Sequence, residues 1–157
     1  LVEPPSGAVR LATEWVEQAE PSNAWIEGRL RCSAGLSWRR EAAWRLGRLV
    51  RRLHGRGVYH ADLKAGNVLA RAGSGGGPEF TVLDLDRVTF TPVPVARSKA
   101  LANLAQLNAA FIPPVTRSDR LRCFRAYAAR DPVLCRGWKD AVREVMRRTV
   151  ERRHRWP

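Results

Sequence analysis

The sequence predicts an α+β fold that is mostly α, with a small antiparallel hairpin set among helices. Three observations point there. Between Trp38 and His54, the apolar residues Ala42, Ala43, Leu46, Leu49, Val50 and Leu53 recur at three and four, and arginines take the other positions. Two short runs, Asn67 to Arg71 and Phe80 to Leu85, flank the glycine-rich tip from Ala72 to Pro78 and read as paired strands. After Pro92-Val93-Pro94 the pattern turns helical again. A chain of 157 residues can bury one core, so residues 1–157 read as one domain or a large piece of one.

Each element follows from local chemistry. Val9 to Glu20 reads as a short helix that Pro21-Ser22-Asn23 breaks, and Trp25 to Leu36 is ambiguous between a short helix and a loop. The long helix occupies 37–55, with Ser37 to cap it and Gly55 to end it. Val58-Tyr59 is a brief extended piece, residues 60–66 a polar loop, and the loop plus hairpin fills 58–91. Three helices are expected over 97–153. The first runs from Ser98 to Phe111, with Leu101, Leu104, Ala105 and Phe111 inward, and Pro113-Pro114 stops it. Ser118 caps the second, which reaches Ala129. Asp131-Pro132 precedes the last, Val133 to Arg152, whose stripe of Leu134, Trp138, Val142, Val145, Met146 and Val150 reads as core.

The net charge of +13 comes almost wholly from arginine, since Lys64, Lys99 and Lys139 are the only lysines. Such a surface either favours anionic partners (nucleotides, phosphorylated glycolipids, acidic headgroups or nucleic acid) or is a solvated basic face that reflects the coding bias of the source genome. Nucleic acid is not the expected partner, because zinc spacing, an RNP-like segment and strand-borne aromatics are all missing. Cys32, Cys123 and Cys135 are odd in number and form no C-x-x-C pair, which points to buried or inert thiols in a reducing cytosol. No apolar run approaches the roughly 20 residues needed to cross a bilayer.

The most informative stretch is His60-Ala61-Asp62-Leu63-Lys64-Ala65-Gly66-Asn67, followed after the glycine tip by Val82-Leu83-Asp84-Leu85-Asp86. Phosphoryl transfer relies on positioning and on cations that stabilise developing charge. It needs an Asp beside the attacking hydroxyl, an Asn five residues on to reach a metal, and a second Asp at a strand end to reach the same metals. Asp62, Asn67 and Asp84 satisfy that order. The glycines of the tip match neither G-x-x-x-x-G-K-[ST] nor G-x-G-x-x-G and read as a plain turn.

These motifs, on a helix followed by a loop and a hairpin, resemble the C-terminal lobe of the protein-kinase-like fold. His60 to Lys64 with Asn67 is similar to the catalytic loop, and Leu83 to Asp86 stands where kinases carry D-F-G. Within that fold the chain resembles the bacterial lipopolysaccharide kinases, which phosphorylate Kdo and heptose. Leu53 to Lys64, Leu83 to Arg87 and Asn103 to Asn108 carry the likeness.

The resemblance implies roles. Asp62 would take or orient the proton of the acceptor hydroxyl, and Lys64 would neutralise the transferred phosphoryl group. Asn67 and Asp84 would hold Mg²⁺ against ATP, with Lys64 also on the phosphates. His60 would brace the loop, and Asp86 would form an ion pair with Arg87 or help hold a cation. The acceptor would be an anionic glycolipid or sugar, met in the cytoplasm or at the cytoplasmic face of the inner membrane. Leu1-Val2-Glu3, within 1–5, resembles the hinge to an N-terminal lobe that is otherwise missing from these residues. On that reading an N-lobe, on the same or another chain, is an expected partner, and these residues alone would bind Mg·ATP weakly and turn over little. Two alternatives stay open: another kinase-like phosphotransferase acting on a small molecule, aminoglycoside or protein, and a catalytically dead binding module.

Overall fold

A computed structural model of the chain describes residues 16–32, 35–111 and 114–153. In chain order it contains β1 (Glu20–Pro21), α1 (Ser22–Arg31), α2 (Leu36–Gly55), β2 (Val58–His60), β3 (Val68–Ala72), β4 (Pro78–Val82) and β5 (Val88–Phe90). Four helices follow: α3 (Arg97–Ala110), α4 (Arg117–Ala128), α5 (Pro132–Arg136) and α6 (Trp138–Arg153). Single 3₁₀ turns cover Ala65–Asn67 and Leu85–Arg87. The mostly helical α+β expectation holds.

Two small antiparallel sheets organise the middle of the chain. β3 and β4 pair from Val68↔Val82 to Ala72↔Pro78, as the glycine tip requires, and β1 adds to the free edge of β3. β2 pairs with β5, from Val58↔Phe90 to His60↔Val88, a partnership between residues some thirty positions apart that local pattern does not reveal. This second sheet fastens the two ends of the 58–91 region together. Gly57 makes it possible: its φ is +74°, and a Cβ there would lie 2.0 Å from the Thr91 carbonyl oxygen.

Several local expectations need correction. The stretch 16–20 is a turn and the start of β1 rather than helix, because Glu20 and Pro21 pair with Ala70 and Leu69 at the sheet edge, where a proline is tolerated. The remainder of the expected first helix, 9–15, and the hinge-like stretch 1–5 lie outside the described residues, as does Pro113. Ser22 and Asn23 begin a helix instead of breaking one, and the Ser22 hydroxyl donates to the Ala65 carbonyl at 2.9 Å. Gly35 is the N-cap of α2, with no side-chain cap from Ser37. Thr116, not Ser118, caps α4 through a reciprocal capping box with Asp119, where the Thr116 hydroxyl and backbone N–H both reach the carboxylate. Asp131 caps α5, and the expected last helix is divided at Gly137. In α6 the buried positions are Ala141, Val145 and Thr149, so Met146 and Val150, expected in the core, are exposed. Cys32 and Cys135 are exposed as well, whereas burial pushes the Cys123 thiol up to about 12.

The core is helical. α2 packs on α4 so closely that a Cβ at Gly47 would lie 2.2 Å from the Cys123 carbonyl oxygen and 3.0 Å from Ala126 Cβ. Where α2 ends, buried His54 joins three helices. Its Nε2–H donates to Asn103 Oδ1 of α3 at 3.1 Å, which leaves Nδ1 to accept the Tyr127 hydroxyl of α4 at 2.9 Å. Burial lowers the His54 pKa to about 4, so the ring is neutral in the fold. A cavity of about 440 Å³ lies among α1, α2, α3, α4 and α6, with an almost wholly apolar wall that includes Ile26, Trp38, Leu46, Leu107, Phe124 and Val145.

Gly47→Ala gains helix propensity but drives the α2–α4 pair apart, so stability falls by about 1–3 kcal/mol net of relaxation. Thermal melting checks this, at about 2–4 °C per kcal/mol for a chain of this size. His54 supplies a pH dependence. Its folded pKa lies below its ordinary value of 6.5, so the unfolded chain takes up the proton first. The stabilisation is complete above pH 6.5 and drains as pH falls towards 4, by about 3 kcal/mol in all. Denaturant titrations across that window should show a flatter slope for His54→Asn than for the unaltered chain.

Candidate active site

The polar loop between β2 and β3 and the turn after β4 meet at one end of the two sheets. β3 begins immediately after Asn67, and the Leu83 N–H donates to the Asn67 carbonyl at 2.9 Å, which brings Asp84 alongside. Asp84 takes the left-handed conformation, φ 63° and ψ 57°, which Asp tolerates better than most residues. That kink turns the chain out of β4 and into the 3₁₀ turn at Leu85–Arg87.

One amide joins the three residues that the motif singles out. Asn67 Nδ2 lies 3.1 Å from Asp62 Oδ2, 3.3 Å from Asp84 Oδ2 and 2.9 Å from the Asp62 carbonyl oxygen. Lys64 Nζ is 2.8 Å from Asp62 Oδ2, so the predicted four-residue set is assembled in space. Burial pushes the Asp62 carboxyl up, but the hydrogen bond and charge of Lys64, with Asn67 beside it, outweigh this and hold it below its ordinary range. The carboxylate is thus ionised and able to accept a proton.

His60 holds the two halves of the site. It is 2 % exposed; its Nε2–H donates to the Leu83 carbonyl at 2.8 Å, and its Nδ1 accepts the Asp62 N–H at 3.1 Å. Both nitrogens are used by backbone, which fits a brace and leaves none for substrate.

The Asp86 carboxyl makes no ion pair with Arg87 among the described residues, which leaves the other expectation, a carboxylate beside a cation. The neighbouring Asp86 raises the Asp84 pKa, and Asp84 lowers that of Asp86, with the Arg87 charge contributing less. The donor set suits a hard cation: Asp84 and Asn67 offer oxygen atoms on an exposed shelf, and two crowded carboxyls favour a dication over a proton. Among the described residues no group of three or more His, Cys, Asp or Glu forms a metal cage. An ion such as Mg²⁺, which keeps waters and phosphate oxygens beside one or two protein ligands, matches that sparse set.

Sequence reasoning missed Asn103 and Gln106, which reach the loop's backbone from α3. Their only signal was membership of the stretch 103–108.

A helical lobe with a catalytic-type loop and an acidic strand end is a kinase-like fold, and the comparisons agree. A solved structure of WaaP in complex with acyl carrier protein superposes with a TM-score of 0.72 over 87% of this chain, at 19% identity. The chain spans 58% of that protein's length. No curated protein sequence matches this one. Residues 10–127 match the profile of the lipopolysaccharide kinase (Kdo/WaaP) family, and the chain belongs to that family.

Removing the cation beside Asp62 tests the electrostatics. In Lys64→Met the Asp62 carboxyl pKa should rise towards the ordinary value of 3.8, read by carbon-13 NMR titration. No change would mean that Lys64 leaves Asp62 in solution.

Proposed function

We propose that the chain forms the catalytic half of an ATP-dependent kinase that phosphorylates a sugar hydroxyl, on Kdo or heptose, of the lipopolysaccharide inner core. The observation that carries this reading is the convergence of Asp62, Asn67 and Asp84 on the Asn67 amide. Family membership supplies the acceptor class.

The chemistry assigns each residue a task. Asp62, held ionised, orients the acceptor hydroxyl and accepts its proton as the oxygen attacks the γ-phosphorus and the bond from that phosphorus to the β,γ-bridging oxygen breaks, releasing ADP. Lys64 leaves Asp62 to follow the phosphoryl charge as it develops. Mg²⁺, held by Asn67 and Asp84, would supply charge neutralisation between the phosphates of ATP. His60 keeps Asp62 and Asp84 at a fixed separation. Contacts to the remaining phosphate oxygens fall to an N-terminal lobe, on the same polypeptide or in trans.

The reading extends to location, at the cytoplasmic face of the inner membrane. No acidic residue occurs from Arg87 to Ser118. In that stretch Arg87, Arg97 and Lys99 are exposed beside Phe90 and Val93, themselves 76% and 63% exposed. Basic and apolar groups together suit anionic lipid headgroups.

A second reading concerns an acyl carrier protein, the partner that the WaaP structure contains. The apolar cavity favours it. Its volume of about 440 Å³ falls within the roughly 300–1,000 Å³ of ligand pockets, which suits an acyl chain. Trp38 lines it, and the buried Trp38 indole N–H meets no acceptor among the described residues.

Two experiments decide these readings. With an N-terminal lobe supplied, labelled ATP should phosphorylate Kdo- or heptose-bearing acceptors, and Asp62→Ala should slow transfer by about 10²–10⁴-fold. Labelling confined to aminoglycosides or proteins would reassign the acceptor. Transfer that survives Asp62→Ala would end the reading. For the second, acyl-loaded but not unloaded carrier protein should raise the melting temperature, and cavity-filling Ala43→Phe should abolish the difference; equal effects of both carriers would exclude acyl insertion.

A further inference from the structure

The loop that carries Asp62 is gripped from behind by two side-chain amides of α3. Asn103 Nδ2 donates to the His60 carbonyl at 2.8 Å and to Gln106 Oε1 at 2.8 Å. Gln106 Nε2 donates to the Ala61 carbonyl at 2.7 Å, and Gln106 Oε1 accepts the Leu63 N–H at 3.2 Å. These contacts fall on both sides of Asp62. We propose that Asn103 and Gln106 are positioning residues for phosphoryl transfer, setting the backbone from which the Asp62 carboxylate is aimed. The catalytic part of this inference rests on the kinase reading above; the grip itself does not.

Three observations carry it. The six backbone polar groups from the His60 carbonyl to the Leu63 N–H all have named partners, and α3 supplies the partners of three. The Ala61 N–H donates to the Arg87 carbonyl, the Asp62 N–H to His60 Nδ1, and the Asp62 carbonyl accepts Asn67 Nδ2 and the Lys64 N–H. The three that remain, the carbonyls of His60 and Ala61 and the N–H of Leu63, belong to Asn103 and Gln106. Without those amides they would be unpartnered in a largely buried place, at about 1–3 kcal/mol each.

Each amide also has a single orientation. Asn103 Oδ1 faces His54 Nε2, so its nitrogen must face His60 and Gln106; that fixes Gln106 with oxygen towards Leu63 and nitrogen towards Ala61. The order of donors runs from the Tyr127 hydroxyl through His54 and Asn103 to Gln106 and the Ala61 carbonyl, with no conflict at any atom. Finally, both residues are held still. Asn103 is fully buried, Gln106 is 6% exposed, and the Tyr127 and His54 behind them are 1% and 2% exposed. A loop held by such a network cannot drift without breaking several buried hydrogen bonds together.

The test uses Gln106→Met, similar in length and unable to hydrogen-bond the loop. In the unaltered chain the Leu63 amide should be protected from hydrogen exchange alongside the core amides of α3. In Gln106→Met its exchange should accelerate by about tenfold or more, the worth of one hydrogen bond, while the amides of α2 keep their rates. With an N-terminal lobe supplied, kcat should fall by about 10–100-fold and KM for ATP should stay within about twofold, because a misaimed base slows chemistry without loosening nucleotide. Rapid exchange of Leu63 in the unaltered chain would overturn the grip. Released Leu63 with unchanged kcat would overturn the positioning role. Absence of transfer in the unaltered protein would instead count against the kinase reading, and the exchange result would still decide the grip.

Discussion

The hydrogen bond from the His60 imidazole to the Leu83 carbonyl is the constraint on which the site depends. It links the loop after β2 to the end of β4, two segments that β3 and the glycine tip separate in sequence. The other ring nitrogen takes the Asp62 N–H, so one buried side chain fixes both the proposed base and the residue before Asp84. The second sheet reinforces this link, since His60 pairs with Val88 and the Ala61 N–H reaches the Arg87 carbonyl. Asp62 and Asp84 are therefore held near each other by neutral contacts. Two carboxylates left to themselves would repel, and the fold supplies the opposing force through backbone and imidazole.

That arrangement sits on a helical base built for stiffness rather than size. Gly47 lets α2 and α4 approach until backbone meets backbone, and α3 lies across the end of α2 through Asn103 and His54. α3 serves two purposes. Its polar positions, Asn103 and Gln106, face the loop that carries Asp62, while Leu104 and Leu107 line the apolar cavity. One helix thus borders both the loop and the space proposed for an acyl chain.

The charge distribution follows the same division. Acidic residues on the helices are largely spent in ion pairs, such as Arg39 with Asp119 and Arg51 with Asp131, both partly buried. From Arg87 to Ser118 the only charged residues are basic, and the exposed apolar residues Phe90 and Val93 lie in the same stretch. Surface ion pairs contribute little to stability, so the excess of arginine bears on association rather than on the fold.

The linear sequence determined the chemistry and the long-range order of elements. The 3.6-residue period of α2, the glycine tip between β3 and β4, and the spacing of Asp62, Lys64, Asn67 and Asp84 are local, and local rules decode them. Tertiary structure decided what depends on distant partners. The edge strand at Glu20–Pro21 exists because β3 offers it hydrogen bonds, overriding the helical pattern before it. The buried stripe of α6 rotated to Ala141, Val145 and Thr149 because α3 chose the face, and the left-handed conformation at Asp84 starts the 3₁₀ turn that carries Asp86 and Arg87. Asn103 and Gln106 show the limit most plainly. As two of several polar residues in α3 they carry no periodic signal of their own, and only the folded chain reveals that the groups they satisfy lie more than forty residues away.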